Sequence, residues 1–453
     1  MENESVNAKT IIVGLGATGL SCARYLKRKG LPFRVVDNRD NPPGLEEFKQ
    51  QFPEIALTLG GFESDSLLAA EELIVSPGLS LQTAEIEQAR RAGVRITGDV
   101  DIFSRAAKAP ILAITGSNGK STVAMLLAEI LRAAGKKVAL GGNLEAGLGR
   151  PALDLLEDKE ADCYVLELSS FQLETTENLQ AEVVTILNLS ADHMDRYPDM
   201  AAYQQAKQRI FNGARQVVVN REDACTAYTG SDAPRQWEFG IGKPENNGLG
   251  LLEEQGEQFL SYQLETIIPV SDLKIVGQHN IANALAAMAM AMAFAVPPAV
   301  IRQAAREFTG LPHRCQFVAA VNGVEFFNDS KGTNVGASVA AIEGIGKRIT
   351  GHVILIAGGV GKGADFSALG PALNRWGKQA ILIGQDAGEI AASLDDDMPV
   401  QFASDMAQAV SLAASVARSG DAVLLSPACA SFDMFSNFQE RGRAFVSAVE
   451  SLQ

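Results

Sequence analysis

The sequence predicts an α/β protein of three domains built on largely parallel sheets. Three observations lead there. Short β-branched runs alternate with longer Ala/Leu-rich stretches of helical period, the rhythm of strand–helix–strand units. At 453 residues the chain is too long for one ordinary core. Two strand-to-helix junctions carry glycine loops, at Gly14–Gly19 and Gly116–Gly119. The expected boundaries are 1–98, 99–310 and 311–453.

The first group opens with the strand Thr10–Val13, which enters Gly14-Leu15-Gly16-Ala17-Thr18-Gly19. A helical stretch, a second strand Phe33–Val36 and an acid, Asp37, follow. This is the G-x-G-x-x-G dinucleotide fingerprint with its acid at the expected distance. A further strand is expected at Leu73–Val75, and the group ends near Thr97-Gly98.

In the second group, strands are expected at Ile111–Ile114, Lys137–Leu140, Cys163–Leu166, Val183–Asn188 and Gln216–Val219. The first of them runs into Thr115-Gly116-Ser117-Asn118-Gly119-Lys120-Ser121-Thr122 and then into the helical run VAMLLAEILRAAG. Small residues let backbone N–H groups face phosphate oxygens at a helix N-terminus that favours anions. Lys120 would reach terminal phosphates, and Ser121 or Thr122 would place a hydroxyl on Mg²⁺. The match to G-x-x-x-x-G-K-[ST] is imperfect, because Ile114 stands five before Gly119. A Gly/Asn turn with a chance lysine is the alternative.

The third group holds strands at His352–Ala357, Ala380–Ile383 and Ala422–Leu425. It opens with a hairpin, Gln316–Val321 and Val324–Phe327, because Asn322-Gly323 suits the positive φ angles of a type I′ turn.

Composition narrows the function classes. Apolar content of 47% and charged content of 21% describe a globular chain, not a disordered one. The net charge of −15 argues against a nucleic-acid surface and requires local cationic pockets for any anionic substrate. Cys22, Cys163, Cys225, Cys315 and Cys429 form no C-x-x-C pair, as expected of reduced thiols. The start, MENESVNAKT, lacks an apolar signal core. The weakly polar run Ile281–Val300 is interrupted by Asn283 and Pro297-Pro298, so it reads as a buried helix and not a membrane span. The expectation is a soluble cytoplasmic monomer.

Seven motifs in register carry a family resemblance. They are TGSNGKST, LELSSFQLE (166–174), DHMDRYP (192–198), GQHNIANALAA (277–287), LPHRCQ (311–316), NDSKGTN (328–334) and LSPACASFD (425–433). Together with GLGATG they resemble the Mur ligases, the ATP-dependent ligases that build the peptide stem of peptidoglycan. DHMDRYP and SPACASFD are most similar to the D-glutamate-adding branch. The resemblance implies a Rossmann-like N-terminal domain for a UDP-sugar, a central P-loop ATPase-type domain, and a Rossmann-like C-terminal domain for the amino acid. It implies ATP and Mg²⁺ as cofactors, and UDP-N-acetylmuramoyl-L-alanine and D-glutamate as substrates. The carboxylate would attack the γ-phosphate of ATP, and the amine would then attack the acyl phosphate.

Residue by residue, the resemblance gives the phosphate loop Gly116, Ser117, Asn118, Gly119, Lys120, Ser121 and Thr122. Metal ligands would be Ser121, Glu167, His193 and a carbamylated Lys207, with Asp192 behind them. Without the resemblance, Glu167 is equally a strand-end carboxylate, His193 a structural histidine and Lys207 a solvated helix lysine. Asn280 and Asn283 share a helix face and would approach adenine and ribose, although Asn280 also suits an N-cap. Arg314, next to His313, would meet phosphate, or form an interdomain salt bridge; Asp329 would meet ribose. D-glutamate would be held by Lys331, Thr333, Lys362, Ser431 and the backbone at Phe438. The UDP-sugar would take Ala17, Thr18, Asp37, Asn38, Arg39, Ser76, Gly78, Asn143 and Ser169. A sibling Mur ligase using another amino acid is the nearer alternative, and two other classes compete. An NAD-dependent oxidoreductase would use Gly14–Gly19, and a non-catalytic regulator would bind nucleotide only. Neither accounts for Lys120, Glu167, His193 and Lys207 together.

Overall fold

The computed structural model describes residues 8–144, 147–230, 234–245, 248–275 and 277–452. The polar start MENESVN therefore lies outside the described residues. By internal contacts the chain forms two compact units. One holds the chain up to Leu252 with Ser261–Ile267 and Leu285–Ala304; the other holds Glu253–Leu260, Ile268–Ala284 and the chain from Ala305.

The first unit carries one sheet whole and most of a second. The five-stranded one contains β1 (Thr10–Val13), β2 (Arg34–Val36), β3 (Leu57–Thr58), β4 (Glu72–Val75) and β5 (Arg95–Thr97), in the order β3-β2-β1-β4-β5. Every pairing is parallel. The strand order reverses between β1 and β4, the switch point where doubly wound sheets bind ligands. Helix α1 (Ala17–Lys29) follows the first glycine loop.

The second sheet begins with β6 (Ile111–Thr115), β7 (Val138–Gly142), β8 (Cys163–Glu167), β9 (Val183–Ile186) and β10 (Gln216–Asn220). It continues through β11 (Arg235–Phe239), β12 (Gly248–Glu254), β13 (Glu257–Tyr262) and β14 (Glu265–Pro269). Its order is β14-β13-β12-β11-β10-β9-β6-β8-β7, with β6 central to the parallel part. Helix α2 (Lys120–Ala133) leaves β6 through the second glycine loop. Helix α3 (Ser170–Glu174) follows β8, and α4 (Met200–Gln208) precedes β10. Helix α5 (Gln278–Ala293) is the predicted Ala/Met helix, with Ala284 to Ala291 fully buried. Among the described residues no helix is long and apolar enough to cross a membrane.

One apolar core joins these two sheets. Leu20, Phe33 and Phe48 from the first pack in the same cluster as Ile111, Leu153 and Leu166 from the second. A rim of charge reinforces it: Arg24 on α1 reaches Asp154 at 2.6 Å, and Ser21 donates to the same carboxylate at 3.0 Å. The two glycine loops thus stand on a common base.

The second unit carries β15 (Gln316–Val321), β16 (Val324–Asn328), β17 (Val353–Gly358), β18 (Gly377–Ile383), β19 (Val400–Phe402) and β20 (Ala422–Leu425), ordered β15-β16-β20-β17-β18-β19. Only the β15–β16 hairpin is antiparallel. Asn322 and Gly323 have φ of 52° and 79°, as the type I′ reading requires. Helix α6 (Phe438–Glu450) starts from an Asn437 cap.

Candidate functional site

The first glycine loop turns at Gly14, whose φ is +101°. A Cβ on Gly19 would lie 2.1 Å from the Gly14 carbonyl oxygen, so only glycine lets α1 start this close to β1. Gly16 precedes α1 with no side-chain cap, which leaves the N–H groups near Ala17 and Thr18 available to an anion. Ser76 Oγ donates to the Gly14 carbonyl at 3.0 Å and ties the Ser76-Pro77-Gly78 segment to the loop.

Asp37 is fully engaged by its own chain. Oδ2 accepts Leu15 N at 2.7 Å and Arg39 Nη2 at 2.8 Å; Oδ1 accepts Arg39 N and Nε, both at 2.9 Å. A carboxylate offers about four acceptor sites, and here all are used. Burial opposes ionisation, yet the hydrogen bonds from Arg39 and Leu15 leave its pKa below the ordinary value. The acid therefore shapes the loop and holds Arg39, which is half exposed. It is not free to mark a ribose, as a dehydrogenase would need. Asn38 is exposed beside it.

The second loop is stitched into the sheet that carries it. Gly116 has φ of +147° and sits against Leu187 and Asn188. Asn188 Oδ1 accepts Asn118 N at 2.8 Å, and its Nδ2 donates to Asn118 O at 3.1 Å. Ser117 Oγ donates to Ser190 O at 3.0 Å and lies 3.2 Å from the Tyr203 hydroxyl. Gly119, left-handed at φ +85°, precedes α2, which has no side-chain cap. Lys120 Nζ curls over the loop onto Gly116 O and Ser117 O, at 3.0 and 2.9 Å. Ser121 and Thr122 are buried behind it.

The other expected groups converge here. Register pairs Ile114 on β6 with Glu167 on β8, so the acid stands at the strand end beside the loop. Glu167 is 4% exposed, and its Oε2 has no hydrogen-bond partner. Lys207 is buried on α4 and donates to Gly116 O at 2.9 Å. Burial, then repulsion from Lys120, pushes its pKa well below the ordinary lysine value. The solvated-lysine alternative is thereby excluded. His193 is left-handed at φ +57°. Partial burial is the main cause lowering its pKa, Lys120 and Lys207 add to it, and Asp192 and Asp195 oppose. Nearby, Asn143 N donates to Glu167 O at 2.7 Å, and Ser169 caps α3 in a capping box with Gln172.

An orphaned buried carboxylate oxygen fits a cation. No group of three or more His, Cys, Asp or Glu that could hold a metal occurs among the described residues. Mg²⁺ takes one or two carboxylates and completes its shell with water and phosphate oxygens.

In the second unit, Asn283 Nδ2 donates to Asn280 Oδ1 at 3.2 Å. Helix α5 begins at Gln278, so Asn280 lies inside it and is not its N-cap. Asp329 accepts Cys315 N at 3.1 Å and Ser426 Oγ at 2.7 Å. Desolvation raises its pKa to about 6, with Arg314 among the groups opposing. Lys331 Nζ sits 4.2 Å over the Phe438 ring. The loops bearing Thr333, Lys362 and Ser431 are laced by backbone bonds: Ala428 N to Gly332 O, and Val360 and Ala430 to each other, all at 2.9 Å. Lys362 is exposed and left-handed at φ +55°, and Ser431 is buried.

Sequence reasoning missed several supports. Asn188 and Tyr203 hold the phosphate loop. Arg441, 1% exposed, donates to Ser330 Oγ and O at 3.0 and 2.8 Å; burial lowers its pKa to about 10. Their signal is long-range pairing, which no local motif carries.

A strand, a glycine loop, an uncapped helix with its lysine, and an acid on the neighbouring strand define a P-loop nucleotide-binding α/β protein. Comparisons with known proteins narrow the class. The family model described as Mur ligase MurD-like, N-terminal domain matches residues 8–98; Mur ligase middle domain matches 114–291; Mur ligase, glutamate ligase domain matches 313–429. The chain belongs to the Mur ligase family. It is 54% identical over 442 residues to a UDP-N-acetylmuramoylalanine–D-glutamate ligase of Pseudomonas aeruginosa, covering 98% of each chain. A ligase of the same name from Nitrosococcus oceani is 48% identical over 447 residues, covering 99% of this chain and 97% of its own. Among solved structures, MurF from Acinetobacter baumannii aligns over 99% of this chain and 92% of its own, with a TM-score of 0.63 at 16% identity. MurC from Thermotoga maritima aligns over 98% and 100%, with a TM-score of 0.61 at 18% identity. The last two bear on the fold alone.

Proposed function

We infer that this protein is an ATP-dependent ligase that joins D-glutamate to the L-alanine carboxylate of UDP-N-acetylmuramoyl-L-alanine, releasing ADP and phosphate, in the synthesis of peptidoglycan precursors. The observation that carries this is the 54% identity over nearly the whole of both chains, with Lys120, Glu167, His193 and Lys207 all present.

Residues 1–98 would hold the UDP-sugar, 99–310 ATP, and 311–453 the amino acid. Amide formation needs an activated carboxylate. The substrate carboxylate attacks the γ-phosphate of ATP, ADP leaves, and the amine of D-glutamate displaces phosphate from the acyl phosphate. Positioning and charge neutralisation do most of this work. The loop N–H groups and the start of α2 cradle phosphate oxygens, and Lys120 leaves its own loop carbonyls for them. Ser121, Glu167, His193 and carbamylated Lys207 would hold Mg²⁺, which supplies Lewis-acid neutralisation of phosphate charge. The depressed pKa of Lys207 supports carbamylation, because only a neutral amine adds to CO₂. Asn280, Asn283, Arg314 and Asp329 would take the nucleoside and phosphate. Lys331, Thr333, Lys362, Ser431 and the Phe438 backbone would take D-glutamate. Four buried free cysteines and the use of ATP support a cytoplasmic location.

The test is phosphate release from ATP, Mg²⁺ and UDP-N-acetylmuramoyl-L-alanine with single amino acids of both configurations. Release that requires D-glutamate and the UDP-sugar together is expected. Release with another amino acid would move the protein to a sibling ligase. Binding of NAD without release would return the dehydrogenase reading.

A further inference from the structure

Two substrates that must react on one enzyme need their loops set together. A chain of contacts in the first unit does this through Pro77, Arg196 and Phe171, none of them assigned a role above. At its centre is Arg196, whose side chain is 12% exposed. Its Nη2 lies 2.7 Å from Glu174 Oε2, and its Nη1 donates to Pro77 O at 2.9 Å. The guanidinium stands 4.3 Å from the centre of the Phe171 ring. Phe171 meets the His193 ring edge-on at 4.8 Å and stacks on Tyr197 at 6.0 Å. The Tyr197 hydroxyl donates to the other Glu174 oxygen at 2.5 Å. The His193 carbonyl accepts the N–H groups of Arg196 and Tyr197, at 2.9 and 3.1 Å, which closes the turn that holds His193 left-handed.

Pro77 is the middle residue of Ser76-Pro77-Gly78, and Ser76 reaches the Gly14 carbonyl. The path therefore runs from the first glycine loop through Ser76, Pro77, Arg196 and Phe171 to His193. Each link asks for something specific. A guanidinium supplies two N–H directions and a flat face at once, and an ammonium does not. A left-handed histidine persists only where its surroundings over-determine it.

We propose that Arg196 is a positioning residue that couples the UDP-sugar pocket to the His193 arm of the ATP site, through the Pro77 carbonyl on one side and the Phe171 ring on the other. The proposal rests on the ligase reading above. Arg196 touches no reacting atom; it sets where His193 stands when the UDP-sugar loop is closed.

The experiment compares wild type with Arg196→Met, Arg196→Lys and Phe171→Leu. Calorimetry gives the Kd of UDP-N-acetylmuramoyl-L-alanine with and without Mg²⁺ and a non-hydrolysable ATP analogue. Steady-state kinetics and thermal melts accompany it. In wild type the nucleotide should tighten UDP-sugar binding, by about fivefold or more. Arg196→Met should weaken binding of the UDP-sugar alone by about tenfold, abolish the tightening and lower kcat, with the KM for D-glutamate unchanged. Arg196→Lys should behave like Met, not like wild type. Phe171→Leu keeps the Arg196–Pro77 contact, so it should bind the UDP-sugar alone normally yet lose the tightening. If Phe171→Leu keeps the wild-type ratio of the two Kd values, or if Arg196→Met does, the coupling is refuted. An Arg196→Met protein that melts with the loss of all parameters leaves the decision to Phe171→Leu, which cuts the same path elsewhere. Wild-type protein without release dependent on D-glutamate and UDP-sugar would overturn the ligase reading instead, and that assay is read first.

Discussion

The two glycine loops of the first unit look alike in sequence and are built for different loads. Both join a buried parallel strand to a helix that lacks a side-chain cap. The first is closed around its own acid: Asp37 takes Leu15 N and three donors of Arg39. The second is closed around its own cation, with Lys120 on Gly116 O and Ser117 O. A loop organised by a carboxylate offers N–H groups and an arginine at its edge. A loop organised by an ammonium on neutral carbonyls offers the ammonium itself, which phosphate can draw away. On the function proposed above, the first would hold a diphosphate through the reaction and the second a phosphoryl group that moves.

Removing Lys120 should separate the two most widely. Lys120→Ala should lower kcat by on the order of 10³-fold, since one cation aimed at developing phosphate charge is lost. Binding of the UDP-sugar in the absence of nucleotide, followed by calorimetry, should stay within about twofold of wild type, because without nucleotide the coupling between the two sites is silent. Loss of both together would mean that the two loops do not divide the work as described.

The reverse experiment is Asp37→Ala. It strands Leu15 N–H and releases Arg39, and an unsatisfied buried donor costs about 1–3 kcal/mol. UDP-sugar affinity should fall about tenfold or more, while kcat at saturating UDP-sugar changes little. A drop in kcat with unchanged KM would place Asp37 in the chemistry and break the comparison from the other side.

Asn188→Ala probes how rigid the second loop must be. It removes both side-chain bonds to Asn118, at 2.8 and 3.1 Å, and leaves Lys120 in place. The KM for ATP should rise about fivefold to tenfold, each bond contributing about 1 kcal/mol, with smaller change in kcat. An unchanged KM would show that Ser117 and Ser190 suffice to hold the loop.

How much of this was legible in the sequence depends on where the information sits. Thr10–Val13 and Ala422–Leu425 stand as read from the sequence, because buried parallel strands are continuous apolar runs. The β15–β16 hairpin was legible because Asn322-Gly323 names its own turn. The strands Arg235–Phe239, Gly248–Glu254, Glu257–Tyr262 and Glu265–Pro269 were not. They are polar on one side, and the turn at Gln255-Gly256 places glutamine, not Asn or Asp, at positive φ. Of the candidate site, Lys120 and Ser121 declare themselves through their loop. Lys207 does not: nothing in AAYQQAKQRIF tells a solvated lysine from one 2% exposed, and only the resemblance singled it out. Arg196, Asn188 and Arg441 work through partners as distant as Pro77, Asn118 and Ser330, so their roles exist only once the chain is folded.

The smallest effect is expected at Asp99, at the start of the helix Asp99–Ala106. It is 2% exposed, accepts Gln172 Nε2 at 3.4 Å, and adds to the burial that raises the pKa of Cys22 on α1. Desolvation lifts the Asp99 pKa from 3.8 to about 6, against hydrogen bonds from Gln172 and the backbone. The sign follows from linkage. The folded state holds the proton more tightly than the unfolded chain, so ionisation destabilises the fold. That penalty is absent below pH 3.8, grows as pH rises, and is complete above about pH 6. Asp99→Asn keeps an oxygen acceptor for Gln172 and removes the penalty. The variant should therefore be more stable than wild type at pH 7.5, by on the order of 1–3 kcal/mol, and the advantage should vanish as pH falls to 4. Thermal melts across that range measure it, and turnover should be unaltered. A variant less stable at pH 7.5 would mean that the buried charge, placed at the start of the helix Asp99–Ala106, is favoured by the helix dipole more than it is penalised by burial.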